Sequence, residues 1–169
     1  LRTTASGVYA VGDATGGLML AHRATAQGIA AASHALGGPI TQDLRLVPVC
    51  LYSEPQVACV GITEEEARVA GLDTAVARRP MAANPKALIE GGANGLVKIV
   101  HLRRHGEILG VHIVGPHATE LISEAALAMR LEATVTELAT AIHPHPTLSE
   151  SLMDAARMAT GEGCEPNPR

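Results

Sequence analysis

Aromatic side chains are nearly absent from this sequence of 169 residues, which contains no Phe, no Trp and two Tyr. Proteins that bind single-stranded nucleic acid stack the bases on several aromatic rings, so the composition excludes that class of site. The net charge of −4 also argues against a phosphate-backbone partner. Hydrophobic residues make up 47% of the chain, and we therefore expect a core of Ala, Val, Leu, Ile and Met.

Long apolar runs and a secretory signal pattern are also absent, and we expect no membrane partner. The three cysteines form no CxxC pair, and an odd number in a domain of this size favours a reducing, cytoplasmic compartment. Cys50 and Cys59 could oppose each other only across a tight hairpin at 53–56. Pro55 at the third turn position disfavours the common turn types, so a disulfide there is left open. Cys164 stands alone and receives no role.

The chain divides into three segments by pattern. Residues 7–13 predict a short buried strand that ends at Gly-Asp, and residues 20–36 predict an Ala-rich helix stopped by two glycines. This strand–turn–helix cannot bury both faces by itself, and the chain does not begin with Met, so we expect a piece of a longer protein. The predicted boundaries are 1–40 for this first segment, 41–160 for a second domain and 161–169 for a flexible polar tail.

The second segment predicts an α+β domain. Alternating or apolar stretches indicate strands at 46–52, 57–61, 74–79, 95–102 and 108–114. Capping signals and 3.6-residue periodicity indicate helices at 63–70, 118–131, 134–141 and 147–159, with an irregular stretch or short strand at 84–92. This order favours an antiparallel sheet with helices on one side. A sheet with one uncovered apolar face is a candidate for dimerisation.

The string HPHPTLSE at 143–150 carries the clearest chemical pattern. The imidazole of His145 exchanges protons near neutral pH, and the flanking prolines keep it on extended backbone ahead of a helix. Glu150 falls in the first turn of that helix, where its carboxylate can accept the second ring N–H, as a general base requires. The structural alternative is a capping box from Thr147 to Glu150 with His145 as an ordinary surface residue.

A metal site is a further alternative for the same region. His143, His145, Glu150 and Cys164 supply suitable donor types. The proline between the two histidines makes joint ligation of one ion awkward, and no CxxC supports it. We therefore expect no metal.

The string at 143–150 resembles the C-terminal signature of the dihydrolipoamide dehydrogenase family of flavin-dependent pyridine nucleotide-disulfide oxidoreductases. Stretches 52–61, 84–91 and 109–120 resemble the interface domain of the same family. The resemblance implies that His145 is the acid–base residue, that Glu150 is its partner, and that the enzyme is a homodimer acting on a dithiol such as a lipoyl group. A glutathione- or mercuric-reductase-like enzyme and an inert dimerisation module remain alternatives.

The first segment resembles the FAD-contacting part of that family. The string GVYAVGD at 7–13 implies that Asp13 binds a ribityl hydroxyl, although Gly-Asp also serves as a turn or helix cap. The string MLAH implies contacts of a helix N-terminus with the flavin ring. The resemblance implies that the flavin-contacting residues are Met19, Leu20, Ala21 and His22. His22 is equally well a packing residue of the helix. No GxGxxG and no redox cysteine pair are present, so the resemblance implies FAD and NAD in a full-length enzyme and an inactive chain alone.

Overall fold

The computed structural model describes residues 1–161, which form two compact units. The first unit is Leu1–Val47, and the second begins at Pro48. Residues 162–169, which hold most of the predicted flexible tail and Cys164, lie outside the described residues. None of the helices among the described residues has the length and apolar character needed to span a membrane.

The first unit contains one long helix, α1, at Ala21–Ala35, close to the predicted bounds. The strand predicted at 7–13 is not formed. A single bridge pairs Arg2 with Tyr9, and the chain then enters a 3-10 turn at Gly12–Thr15. A strand needs a neighbouring strand to accept and donate its backbone hydrogen bonds. Among the described residues of this unit, the bridge between Arg2 and Tyr9 is the only strand pairing that the stretch 7–13 makes.

The second unit is built on a five-stranded antiparallel sheet. Its order is β1-β2-β5-β4-β3, with every neighbouring pair antiparallel. The strands are β1 Val49–Leu51, β2 Gln56–Gly61, β3 Thr74–Pro80, β4 Leu96–Leu102 and β5 Ile108–Gly115. The predicted α+β class is therefore confirmed.

Between residues 48 and 161, five α-helices accompany this sheet. They are α2 Glu64–Val69, α3 Pro85–Ile89, α4 Ala118–Arg130, α5 Val135–Thr140 and α6 Glu150–Thr160. The capping box predicted at Thr63 is present at the start of α2. The stretch predicted as irregular or strand at 84–92 is instead helical in α3, because the Asn84 side chain caps its first N–H groups and Pro85 occupies the first helical position.

The two faces of the sheet differ in burial. One face carries fully buried side chains such as Ile99, Val111 and Ile113, and the long helices α4 and α6 pack against the strands that bear them. Side chains alternate between faces along a strand. Accordingly, Arg79 of β3 pairs with Asp154 of α6 at 3.2 Å, whereas its neighbour Arg78 pairs with Glu64 of α2. Helix α2 thus lies on the face opposite to α6.

The two described cysteines are free. Cys50 lies opposite Ala58 and Cys59 lies opposite Val49 in the β1–β2 pair. Directly opposed residues of an antiparallel pair point to the same face, so the two thiols project from opposite faces of the sheet. The register therefore keeps them from forming a disulfide with each other.

Candidate active site

The segment 141–149 between α5 and α6 places His145 beside Glu150. Nδ1 of His145 lies 3.0 Å from Oε1 of Glu150, and the peptide bond between His145 and Pro146 is cis. The His145 side chain is 69% exposed, whereas that of Glu150 is only 15% exposed. A carboxylate at the base of the segment thus holds an imidazole that faces outward.

The second oxygen of Glu150 is bound as well. Oε2 accepts a hydrogen bond of 2.8 Å from the Thr147 backbone N–H. The pKa of Glu150 lies below its ordinary value, although partial burial by itself would raise it. The hydrogen bonds from Thr147 and His145, together with the charges of His145 and His143, outweigh the effect of burial. The carboxylate is therefore ionised at neutral pH.

An ionised Glu150 determines the tautomer of His145. A carboxylate without its proton only accepts hydrogen bonds, so Nδ1 must carry the hydrogen that lies between the two groups. This leaves Nε2 as the basic nitrogen on an exposed ring. The arrangement can take a proton from a bound acid and stabilise the resulting imidazolium.

The capping box predicted for this helix is only half present. Glu150 accepts from the Thr147 N–H, but the Thr147 hydroxyl donates to the Pro144 carbonyl at 2.8 Å and lies 2.9 Å from the Ser149 hydroxyl. With that hydroxyl engaged upstream, α6 begins at Glu150 rather than at 147, and Ser149 occupies the cap position. The helix thus starts three residues later than predicted.

Asn84 holds the same segment from the side, and sequence reasoning did not assign it a function. Asn84 is only 1% exposed. Its Nδ2 donates hydrogen bonds to the Thr147 carbonyl at 3.0 Å and to the Ser151 hydroxyl at 2.9 Å. Its Oδ1 accepts from the N–H groups of Lys86 and Ala87. The dipeptide Asn-Pro is a helix-start signal that could have predicted the cap, but the bonds to Thr147 and Ser151 are tertiary.

The described donors of the disfavoured metal site, His143, His145 and Glu150, do not form a metal-binding group, and Cys164 lies outside the described residues. Both ring nitrogens of His143 are engaged, Nε2 with Glu124 and Nδ1 with the Ala141 carbonyl. Glu150 is turned to His145 and to the Thr147 backbone. The described residues contain no group of three or more His, Cys, Asp or Glu side chains able to hold a metal ion.

The first unit places the predicted flavin-contacting residues around the start of α1. Asp13 is exposed in the 3-10 turn, Met19 is exposed, Leu20 is the helix cap, and Ala21 and His22 open the first turn. The N-cap residue Leu20 makes no side-chain cap hydrogen bond, and the positive end of the helix dipole at this N-terminus favours an electron-rich ligand. These features fit the flavin that the family resemblance implies.

Two side chains of α1 fix the loop that carries these residues. Oε1 of Gln27 accepts from the Gly12 N–H at 2.7 Å, and its Nε2 lies 3.4 Å from the Thr15 hydroxyl. Arg23, one turn earlier, donates to the carbonyls of residues 16 and 18 at 2.8 and 2.9 Å. Sequence reasoning missed both, because neither belongs to a local motif.

Known proteins match this chain over most of its length. Residues 47–156 match the family model described as the pyridine nucleotide-disulphide oxidoreductase dimerisation domain. The dihydrolipoyl dehydrogenase of Bacillus subtilis is 49% identical over 162 residues, which are 95% of this chain and 34% of that protein. That of Thermus scotoductus is 49% identical over 156 residues, 92% of this chain and 34% of that protein.

Solved structures agree with these matches. The crystal structure of LpdA from Mycobacterium tuberculosis superposes with a TM-score of 0.88 at 37% identity, covering 93% of this chain and 34% of that chain. The HOCl-induced flavoprotein disulfide reductase RclA from Escherichia coli gives a TM-score of 0.85 at 29% identity, covering 94% and 37%. This chain spans about a third of the length of the relatives it matches. It belongs to the pyridine nucleotide-disulphide oxidoreductase family and contains that family's dimerisation domain.

Proposed function

We propose that this chain provides the acid–base pair and the subunit contact of an NAD-linked flavoprotein disulfide oxidoreductase that oxidises dihydrolipoyl groups. The observation that carries the proposal is the hydrogen bond of 3.0 Å between Nδ1 of His145 and Oε1 of Glu150. It joins an exposed imidazole to an ionised carboxylate, which is the arrangement of an oriented general base. The dihydrolipoyl dehydrogenases among the relatives support a lipoyl dithiol over glutathione as the substrate.

The chemistry assigned to His145 is the removal of a thiol proton. Nε2 takes the proton of one substrate thiol, and the thiolate attacks a disulfide supplied by the rest of the enzyme. A mixed disulfide forms and one enzyme sulfur leaves as a thiolate. The second substrate thiol gives its proton to that released enzyme thiolate and attacks the mixed disulfide, so that the lipoyl disulfide forms while the bond to the second enzyme sulfur breaks and this sulfur leaves as a thiolate. Two electrons have left the dithiol, and Glu150 stabilises the imidazolium that holds the proton.

The electron pair needs an acceptor beyond this chain's own residues. A bound FAD would supply the two-electron redox chemistry that links the enzyme disulfide to NAD⁺. The Asp13 carboxylate would accept a hydrogen bond from a ribityl hydroxyl, and the start of α1 would face the flavin ring, chiefly through the backbone of residues 19–22. Gln27 and Arg23 would keep the loop between them in place before the cofactor arrives.

The proposed enzyme is a homodimer in which His145 of one subunit serves the reaction centre of its neighbour. The dimerisation domain of the family supports this arrangement. So does Ile142, whose apolar side chain is 99% exposed three residues before His145. We further propose a reducing, cytoplasmic location, which the odd number of cysteines in the sequence favours.

Substitution of His145 in the complete enzyme tests the proposal. We expect His145→Gln and His145→Ala to lower dihydrolipoamide oxidation by about 10²- to 10⁴-fold, which is the usual contribution of a general base. Reduction of the flavin by NADH needs no thiol deprotonation and should keep its wild-type rate in stopped-flow traces. His105→Gln is the matched control, because His105 is an exposed histidine of the β4–β5 hairpin.

The rival function is an inert dimerisation module. It requires the His145 variants to oxidise the dithiol at rates close to wild type, with the dimer and the flavin content unchanged. That result would overturn the acid–base role while leaving family membership intact.

A further inference from the structure

A second imidazole–carboxylate pair lies in the same segment and is not used by the proposed chemistry. Nε2 of His143 lies 2.8 Å from Oε1 of Glu124, a residue in the middle of α4. Nδ1 of the same ring lies 3.0 Å from the Ala141 carbonyl. The side chain of His143 is 6% exposed, so the ring is almost completely enclosed.

Two neighbouring residues of the segment differ strongly in burial within the single subunit. Ile142 is 99% exposed, while the neighbouring imidazole of His143 is turned inward. Burying an apolar side chain is favourable and burying a polar one is costly unless it is hydrogen-bonded. The contacts of the ring nitrogens with the Glu124 carboxylate and the Ala141 carbonyl offset the cost of burying His143.

His143 and His145 tie the segment to two different helices. His143 reaches Glu124 of α4, and His145 reaches Glu150 of α6. Rotation of the segment about either attachment alone would move His145, and the second attachment removes that freedom. Both nitrogens of His143 are already engaged by protein acceptors, so the ring has no nitrogen to offer to a substrate.

We propose that His143 and Glu124 form a positioning pair that orients His145 for proton transfer and do not themselves touch the substrate. The inference rests on the proposed function of His145. A catalytic group misplaced by about 1 Å can lose about 10²-fold in rate. Loss of the pair should therefore lower turnover of the dithiol by about 10- to 100-fold, with a smaller effect on the Michaelis constant.

The variants separate the pair from a general effect on folding. In the complete enzyme, Glu124→Gln removes the charge but keeps an acceptor, His143→Gln keeps a donor near the Nε2 position, and His143→Ala keeps neither. We expect dithiol oxidation to fall in the order wild type, then the two Gln variants, then His143→Ala. Glu90→Gln is the control. Oε2 of Glu90 lies 3.6 Å from Nε2 of His117, and neither residue belongs to the segment 141–149.

The decisive readout compares two half-reactions in one holoenzyme by stopped-flow spectroscopy. The proposal requires slower electron transfer from dihydrolipoamide with an unchanged rate of flavin reduction by NADH. Equal loss in both half-reactions, or a loss of the same size in Glu90→Gln, would overturn it. If His143→Ala does not fold, Glu124→Gln and His143→Gln give the same comparison. Wild-type behaviour of these variants beside an inactive His145→Gln would reject the pair alone, whereas an active His145→Gln would reject the proposed function.

Discussion

Asn84 connects three parts of the dimerisation domain, and its replacement tests whether the fold holds the candidate site in place. Its Oδ1 caps α3, and its Nδ2 bonds to the Thr147 carbonyl and to the Ser151 hydroxyl, both more than 60 residues away in the chain. Loss of the donor leaves the Thr147 carbonyl unpaired, at about 1–3 kcal/mol. The bond to Ser151 contributes about 1 kcal/mol and the cap about 1 kcal/mol. We expect Asn84→Ala to lower the free energy of unfolding by about 3–5 kcal/mol.

A second variant separates the cap from the tertiary bonds. Serine caps helices about as well as asparagine, but its short side chain cannot reach the Thr147 carbonyl. Asn84→Ser should therefore lose about 2–4 kcal/mol, and Asn84→Ala about 1 kcal/mol more. The assay is urea unfolding at fixed protein concentration, followed by circular dichroism of the helices because the chain has no Trp.

Two results would refute this reasoning about Asn84. If Asn84→Ala changes the free energy of unfolding by less than about 0.5 kcal/mol, its four hydrogen bonds carry no net stability. If Asn84→Ser is as stable as wild type while Asn84→Ala is not, the side chain acts as a cap alone and does not hold the segment that carries His145.

Two further predictions concern groups outside the candidate site. Burial lowers the pKa of His112 from 6.5, and nearby Lys98 lowers it further, whereas the bond to the Ile62 carbonyl acts in the opposite direction. Below about pH 6.5 this histidine therefore binds a proton more readily in the unfolded chain than in the folded one. Stability should thus fall as the pH drops below about 6.5, and urea titrations should find this loss smaller in His112→Gln; an equal or larger loss would contradict the argument. Burial, followed by nearby negative charge, raises the pKa of the Cys50 and Cys59 thiols. Iodoacetamide should alkylate both slowly at neutral pH and faster in alkali, and rapid neutral labelling by mass spectrometry would contradict the assignment.

The parts of the fold that could be predicted from the sequence are those set by local pattern. Alternation and apolar runs located all five strands, and the capping box at Thr63 located the start of α2. The strand expected at 7–13 failed because a strand forms only beside a partner, and the described unit provides a single bridge. Helix α3 was not predicted, although Asn84 and Pro85 are a typical helix-start signal, because its five residues are too few to show helical periodicity.

The same distinction explains the site. His145 and Glu150 are five residues apart across one turn, so residue type and spacing were enough to predict that they meet. His143 and Glu124 are 19 residues apart and belong to elements whose contact is decided by how α4 packs. No periodicity or spacing in the sequence specifies which carboxylate of that helix will face the segment. Predictions of this kind need the tertiary structure.

Glu150 makes its half of the capping box that the sequence left open and, at the same time, the bond to His145. Oε2 accepts from the Thr147 N–H, and that bond leaves Oε1 directed at Nδ1 of His145. A carboxylate is needed for this, because both of its partners donate hydrogen. Glutamine carries one acceptor and one donor, so it could serve one of these two N–H groups but not both. The backbone at Thr147 and the orientation of the imidazole are therefore held by the two oxygens of one carboxylate.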